Sequence, residues 1–144
     1  MKRSTVRFNP DPGKKSRRKK ILVIDKPALI NQIRKVLKAD NGDEYLVTGT
    51  KTVPGALRLL NRKLSYYDLV LLDLQNHKTP PSSGKNIINH RAGCPVVLLT
   101  QMNDPKVIIN ALKMGCVGFI KKPVKSNRFL FRIKEILSEI DHKQ

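Results

Sequence analysis

Five short stretches of the 144-residue chain are apolar almost without interruption, and between them the apolar positions shift to a helical spacing. Ile21 to Ile24, Tyr45 to Thr50, Leu69 to Leu72, Val96 to Thr100 and Val117 to Ile120 are four to six residues long and rich in Val, Ile and Leu. Runs of that length bounded by turn residues predict strands, and those without polar alternation predict strands buried on both faces. From Ala28 to Lys38, residues Leu29, Ile30, Ile33, Val36 and Leu37 fall on one side, with Asn31, Gln32, Arg34, Lys35 and Lys38 opposite. That stripe predicts an amphipathic helix. A second helix is expected with Pro54 in its first turn, running to about Leu64 with Val53, Ala56, Leu57, Leu60 and Leu64 inward. A short one is expected from Lys85 to about His90, and another from Pro105 to Met114, stopped by Gly115. The last, Ser126 to about Asp141, aligns Phe129, Leu130, Ile133, Ile136, Leu137 and Ile140.

Strands alternating with helices imply right-handed crossovers, and hence an α/β fold with a parallel sheet covered on both faces. In such sheets ligands bind outside the carboxyl ends of the strands. The residues delivered there are Asp25 after the first strand, Asp73 after the third, Thr100 at the end of the fourth, and Lys122-Pro123 just beyond the fifth. Two acids, a hydroxyl and an ammonium at one edge form a polar constellation in an otherwise apolar frame. The ten residues from Gln75 to Gly84, with Pro80, Pro81, Ser82, Ser83 and Gly84, are expected to be loop.

Taken in order, Ile24-Asp25, the run Asp68-Leu69-Val70-Leu71-Leu72-Asp73, Val96-Val97-Leu98-Leu99-Thr100 and Gly118-Phe119-Ile120-Lys121-Lys122-Pro123 resemble the receiver domain of two-component response regulators. The resemblance covers roughly Lys20 to Ile140. It implies a doubly wound, five-stranded, flavodoxin-like sheet of order 2-1-3-4-5. It also implies that Asp73 accepts a phosphoryl group from a histidine kinase, a phosphotransfer protein or a small phosphodonor. By the same resemblance Lys122 pairs with the carboxylate and then with the phosphoryl group. Thr100 hydrogen-bonds a phosphoryl oxygen, and an aromatic on the last strand, here Phe119, moves with it to reshape a partner-binding face. For Phe119 a buried ring in a core strand is an equally weighted reading. Phe131, beside Arg128, Lys134 and Glu135 on the last helix, falls opposite the apolar stripe, so an exposed ring is expected on that face. A docking point and incidental exposure both account for it.

The pattern departs from the family at Lys26. Receivers place two adjacent acids after the first strand, and these, with the phosphoacceptor and a backbone carbonyl, hold Mg²⁺. Here the pair is Asp25-Lys26, so a site built from Asp25, Asp73 and the carbonyl of Gln75 is expected to bind the ion weakly, because Mg²⁺ relies on hard oxygen ligands. Two outcomes stand open: Lys26 pairs with Asp73 as a built-in cation, or it points to solvent. Gln101, where the family favours a small residue after Thr100, is a second departure that could hang over Asp73. His77 is expected to be a solvent-exposed loop histidine.

Charge adds a feature that the pattern alone does not show. The chain carries 29 Lys and Arg against 11 Asp and Glu, net +18, and nine of the basic residues fall within the first 20 positions beside a single acid, Asp11. Residues 1–19 are expected to be a disordered basic arm, and residues 20–144 the receiver domain. The arm is either a solubilising tail or a non-specific nucleic-acid tether through residues 2–20, salt-sensitive as phosphate contacts are. No helix-turn-helix or winged helix follows, which speaks against sequence-specific DNA reading. The apolar runs are too short to span a membrane, no apolar segment precedes Ile21 to form a signal peptide, and Cys94 and Cys116 offer no disulfide framework. A soluble, cytoplasmic protein is expected.

Rival chemistries fail on spacing. Ser83-Gly84-Lys85 is followed by Asn86 and preceded by Thr79 where a phosphate-binding loop needs glycine. Cys94, Cys116, His77, His90 and His142 show no zinc spacing, and no serine stands in a nucleophile elbow. Two readings remain: a non-enzymatic phosphorelay receiver that switches a downstream protein, and a pseudo-receiver that binds protein or nucleic acid through its basic surface without phosphorylation. Lys26 and Gln101 favour the second; Asp73, Thr100 and Lys122 favour the first.

Overall fold

The computed structural model describes residues 18–38, 44–62, 66–73, 87, 94–101, 105–124 and 127–142. Of the expected helix at 85–90 only Ile87 is described, and the loop 75–84 and nearly all of the basic arm lie outside the described residues. Five parallel strands, β1 (Lys19–Ile24), β2 (Tyr45–Thr50), β3 (Leu69–Leu72), β4 (Val96–Thr100) and β5 (Gly118–Lys121), form one sheet in the order β2-β1-β3-β4-β5. Four helices are described: α1 (Pro27–Lys38), α2 (Val53–Arg62), α3 (Pro105–Met114) and α4 (Asn127–His142). The 2-1-3-4-5 order inferred from the family resemblance is therefore the observed one.

The alternation of side chains along the central strands divides the core in two. Ile21, Val23, Leu69, Leu71, Val97, Leu99 and Ile120 face Leu29, Ile30, Ile33 and Leu37 of α1 and Phe129, Ile133, Ile136 and Leu137 of α4. Leu22, Ile24, Val70, Leu72, Val96 and Leu98 face Val53, Ala56 and Leu60 of α2, Ala111 of α3, and Ile87. At roughly 1.5–3 kcal/mol for each fully buried aliphatic side chain, these two layers supply the main driving force for the fold. Leu57, Val36, Leu130 and Ile140, read as inward, are partly buried at the margins. Cys94 and Cys116 are buried, as small apolar residues are, and form no disulfide.

Three local devices hold the edge and the register. On β2, the edge strand, the Arg34 guanidinium donates to the Val47 carbonyl at 3.2 Å and so occupies an outward-facing acceptor. Gly49 lets α1 approach closely, since a Cβ there would stand 2.6 Å from Ile30 Cγ2. At the amino end of the sheet, the Lys20 N–H donates to Asp68 Oδ2 and the Asp68 N–H to the Lys20 carbonyl, both at 2.7 Å. This reciprocal pair fixes β1 against β3, so that Ile24 stands level with Leu72. Tyr66 and Tyr67 pack edge to face beside it, 4.9 Å between ring centroids, with the Lys20 ammonium 5.1 Å from the Tyr66 ring. Tyr67 lies ahead of the strand and is buried against the second core layer.

Candidate functional site

Register determines which carboxylates meet. With Ile24 level with Leu72, the next residues are Asp25 and Asp73. Each continues the ladder one step past its strand: the Asp73 N–H donates to the Ile24 carbonyl and the Asp25 N–H to the Thr50 carbonyl, both at 3.1 Å. Backbone bonding therefore holds both acids where the sheet ends, and both are fully buried. Isolated buried carboxylates would be very costly, so a cation must accompany them.

Lys122 supplies that cation. Its Nζ lies 2.8 Å from Asp73 Oδ2, as donor in a hydrogen bond, and 3.0 Å from Asp25 Oδ2 as an ion pair. Its side chain is only 4 % exposed. The Lys122 N–H donates to the Thr100 carbonyl at 2.8 Å, which ties the residue carrying the ammonium to the end of β4. Thr100 is itself fully buried. The Lys122–Pro123 peptide is cis. The structure thus brings Asp25, Asp73, Thr100 and Lys122 together at one edge, while Gln75 lies outside the described residues.

Lys26 takes another role. Its backbone N–H donates to Asp25 Oδ1 at 2.7 Å, and its carbonyl accepts from the Leu29 and Ile30 N–H groups at 3.1 Å, opening α1. Its side chain is exposed, and the ammonium that reaches Asp73 belongs to Lys122. Of the two outcomes left open for Lys26, pointing to solvent is the observed one. The backbone contact to Asp25 was not legible in the sequence, because any residue type can make it. Gln101 is exposed directly after β4.

Phe119 is 37 % exposed, which overturns the reading of a ring buried in the core. It stands level with Leu98, while Lys121 is level with Thr100, so Phe119 and Thr100 belong to the same sheet face, one pleat repeat apart. Phe131 is 66 % exposed and Arg128 is exposed as well, as expected. Ile109 and Leu112 on α3 and Val117 before β5 are also exposed, and α3 buries only Ala111 fully. Among the described residues no group of three His, Cys, Asp or Glu is placed to hold a metal ion, and no helix is long and apolar enough to cross a membrane.

Comparison with known proteins agrees with this geometry. The model of the response regulator receiver domain matches residues 21–134. A probable transcriptional regulator, ycf27, of Porphyridium aerugineum is 28% identical over 86% of this chain and 50% of its own length. The DNA-binding response regulator MtrA of Mycolicibacterium smegmatis is 28% identical over 81% of the chain and 50% of its own. The chain thus spans about half the length of these two curated relatives. The crystal structure of a CheY-like receiver domain protein from Methanospirillum hungatei superposes with a TM-score of 0.75 at 22% identity, covering 89% of this chain and 100% of that one. The fold order, the four strand-end residues and the extent of the family match lead to one assignment: the chain belongs to the response regulator receiver domain family.

Proposed function

We propose that Asp73 is the phosphoacceptor of a signalling switch in a phosphorelay, receiving its phosphoryl group from a histidine kinase or a phosphotransfer protein. The observation that carries the reading is the buried pair of carboxylates held on one ammonium. Burial makes a carboxylate a well-positioned nucleophile only if a cation can follow the charge onto the transferred group, and Lys122 is within reach of Asp73 Oδ2 for that purpose. In the transfer, an Asp73 oxygen forms the new P–O bond while the P–N bond of a phosphohistidine donor breaks, and the imidazole leaving nitrogen takes up a proton.

In the modified state Lys122 pairs with a phosphoryl oxygen and the Thr100 hydroxyl donates to another. Because Phe119 lies on the same face of the sheet as Thr100, a shift of Thr100 is felt at the ring. The face that includes Phe119, Phe131 and Arg128 is the one we assign to the downstream protein. On this reading the chain is a signalling domain rather than an enzyme that turns over a substrate. The test is intact-mass measurement after incubation with a small acyl phosphate, comparing wild type with Asp73→Asn. One phosphoryl adduct is expected on the wild type and none on the variant; an unmodified wild type, or an adduct that survives Asp73→Asn, rejects Asp73 as the acceptor.

A further inference from the structure

The turn after β1 carries one acid where a magnesium-dependent receiver carries two, and the geometry shows what that leaves. Asp25 Oδ1 accepts the N–H of Lys26, and Asp25 Oδ2 and Asp73 Oδ2 both face Lys122 Nζ. Lys26, next in the same turn, carries a second ammonium on an exposed side chain. Among the described residues the two buried carboxylates are accompanied by Lys122 and by the exposed Lys26, so these groups together offer no net negative charge to a cation. Mg²⁺ gives up its hydration reluctantly and is drawn into protein sites by carboxylate charge, so this set of donors does not fit it. An oxyanion makes the opposite demand. A phosphoryl group brings its own negative oxygens and is stabilised by cations placed around them.

We propose that this site takes up its phosphoryl group without a divalent cation, with Lys122 beneath the group and the exposed Lys26 supplying the positive charge. The inference rests on Asp73 as the phosphoacceptor. With an acyl phosphate as donor the step balances on the protein's own residues. An Asp73 oxygen forms a bond to phosphorus as the bond from phosphorus to the acyl oxygen breaks, the leaving group departs as a carboxylate, and no proton or electron is transferred. Lys26 is then a positioning cation for the incoming dianion, which makes it a determinant of how the site is charged rather than a defect in it.

Two readouts test this on the full chain. The first is titration of MgCl₂ into isotope-labelled protein, followed by the amide shifts of Asp25, Lys26 and Asp73. The wild type is expected to show no saturable shifts in the millimolar range, Lys26→Asp to show them with at least about tenfold tighter binding, and Lys26→Ala to fall between, since it removes the charge without adding a ligand. The second is the rate of adduct formation from an acyl phosphate in Mg²⁺ and in chelator. The wild type is expected to react at rates within about twofold in the two media, Lys26→Arg to behave like it, and Lys26→Asp to require Mg²⁺. Saturable Mg²⁺ shifts in the wild type as tight as those of Lys26→Asp, or a wild-type adduct that forms only with Mg²⁺, overturn the inference while leaving Asp73 as acceptor. Absence of adduct in both media removes the acceptor reading itself, and this inference with it.

Discussion

Replacing Lys122 by Met keeps the unbranched stem of the side chain, one atom shorter, and removes its charge, so the variant tests what the ammonium does for the two acids. Asp25 Oδ2 and Asp73 Oδ2 lie 3.0 and 2.8 Å from the same nitrogen. Their separation is therefore at most about 6 Å, and their mutual repulsion at an effective dielectric constant of about 20 is about 3 kcal/mol or more. Removing the cation of a buried ion pair typically costs ~3–5 kcal/mol, because the remaining charge stays buried without compensation. Against a total stability of ~5–15 kcal/mol for a domain, that is a large share. Urea unfolding at neutral pH, followed by far-ultraviolet circular dichroism, is the assay. Lys122→Met is expected to lose ~3–5 kcal/mol. The double variant Lys122→Met with Asp25→Asn is expected to regain about 2–3 kcal/mol of that loss, since only one buried charge remains. A Lys122→Met variant within about 0.5 kcal/mol of wild type, as for an ordinary surface change, refutes the reasoning. So does a double variant less stable than Lys122→Met alone.

Two further predictions concern the body of the domain. Phe129 and Phe131 stand two residues apart on α4, one 2 % and the other 66 % exposed. Phe129→Ala should cost ~3–5 kcal/mol in urea unfolding, whereas Phe131→Ser should stay within about 0.5 kcal/mol while weakening capture of the downstream protein. At Tyr67, burial holds the phenol above its usual 10.0, partly offset by the hydrogen bond with Thr48. The folded phenol thus keeps its proton to higher pH than the unfolded one. Its contribution to stability is constant below about pH 10 and falls as pH rises through the folded value. Urea midpoints measured on both sides of about pH 10 should show that decline in wild type and a shallower one in Tyr67→Phe; equal slopes would count against it.

Most of the frame could be read from the residues, because a buried parallel strand has an unmistakable composition. Val96 to Thr100, buried throughout, and Tyr45 to Thr50, the partly buried edge strand, begin and end where expected, and Pro105–Met114 is the helix that its spacing and Gly115 mark out. Strand order could not be had from periodicity, since any permutation of such strands buries the same residues; it came from the motifs read together. At the site, the sequence placed Asp25, Asp73, Thr100 and Lys122 at one edge, but it could not say which lysine would face the acids. Lys26 is adjacent to Asp25 in the chain yet points outward, while Lys122, 49 positions from Asp73, makes the contact. That choice depends on where the turn directs a side chain, and composition does not carry it. Phe119 lies on the last strand of the sheet, where nothing in its immediate neighbourhood indicated whether a helix would cover it.

The reciprocal bonds between Lys20 and Asp68 at the opposite end of the sheet have a consequence for the site. They act as the zero mark of a ruler about 16 Å long, laid along β3 from Asp68 to Asp73 at ~3.3 Å per residue. A slip of one residue would turn one carboxylate to the other face of the sheet and part the pair. Alignment is thus decided at the end of the sheet opposite the two carboxylates. The residues just past the strands, Lys26 and Gln101 among them, are then at liberty to vary without disturbing it. Such a layout lets a lineage change what the carboxylates bind while the scale that brings them together stays the same.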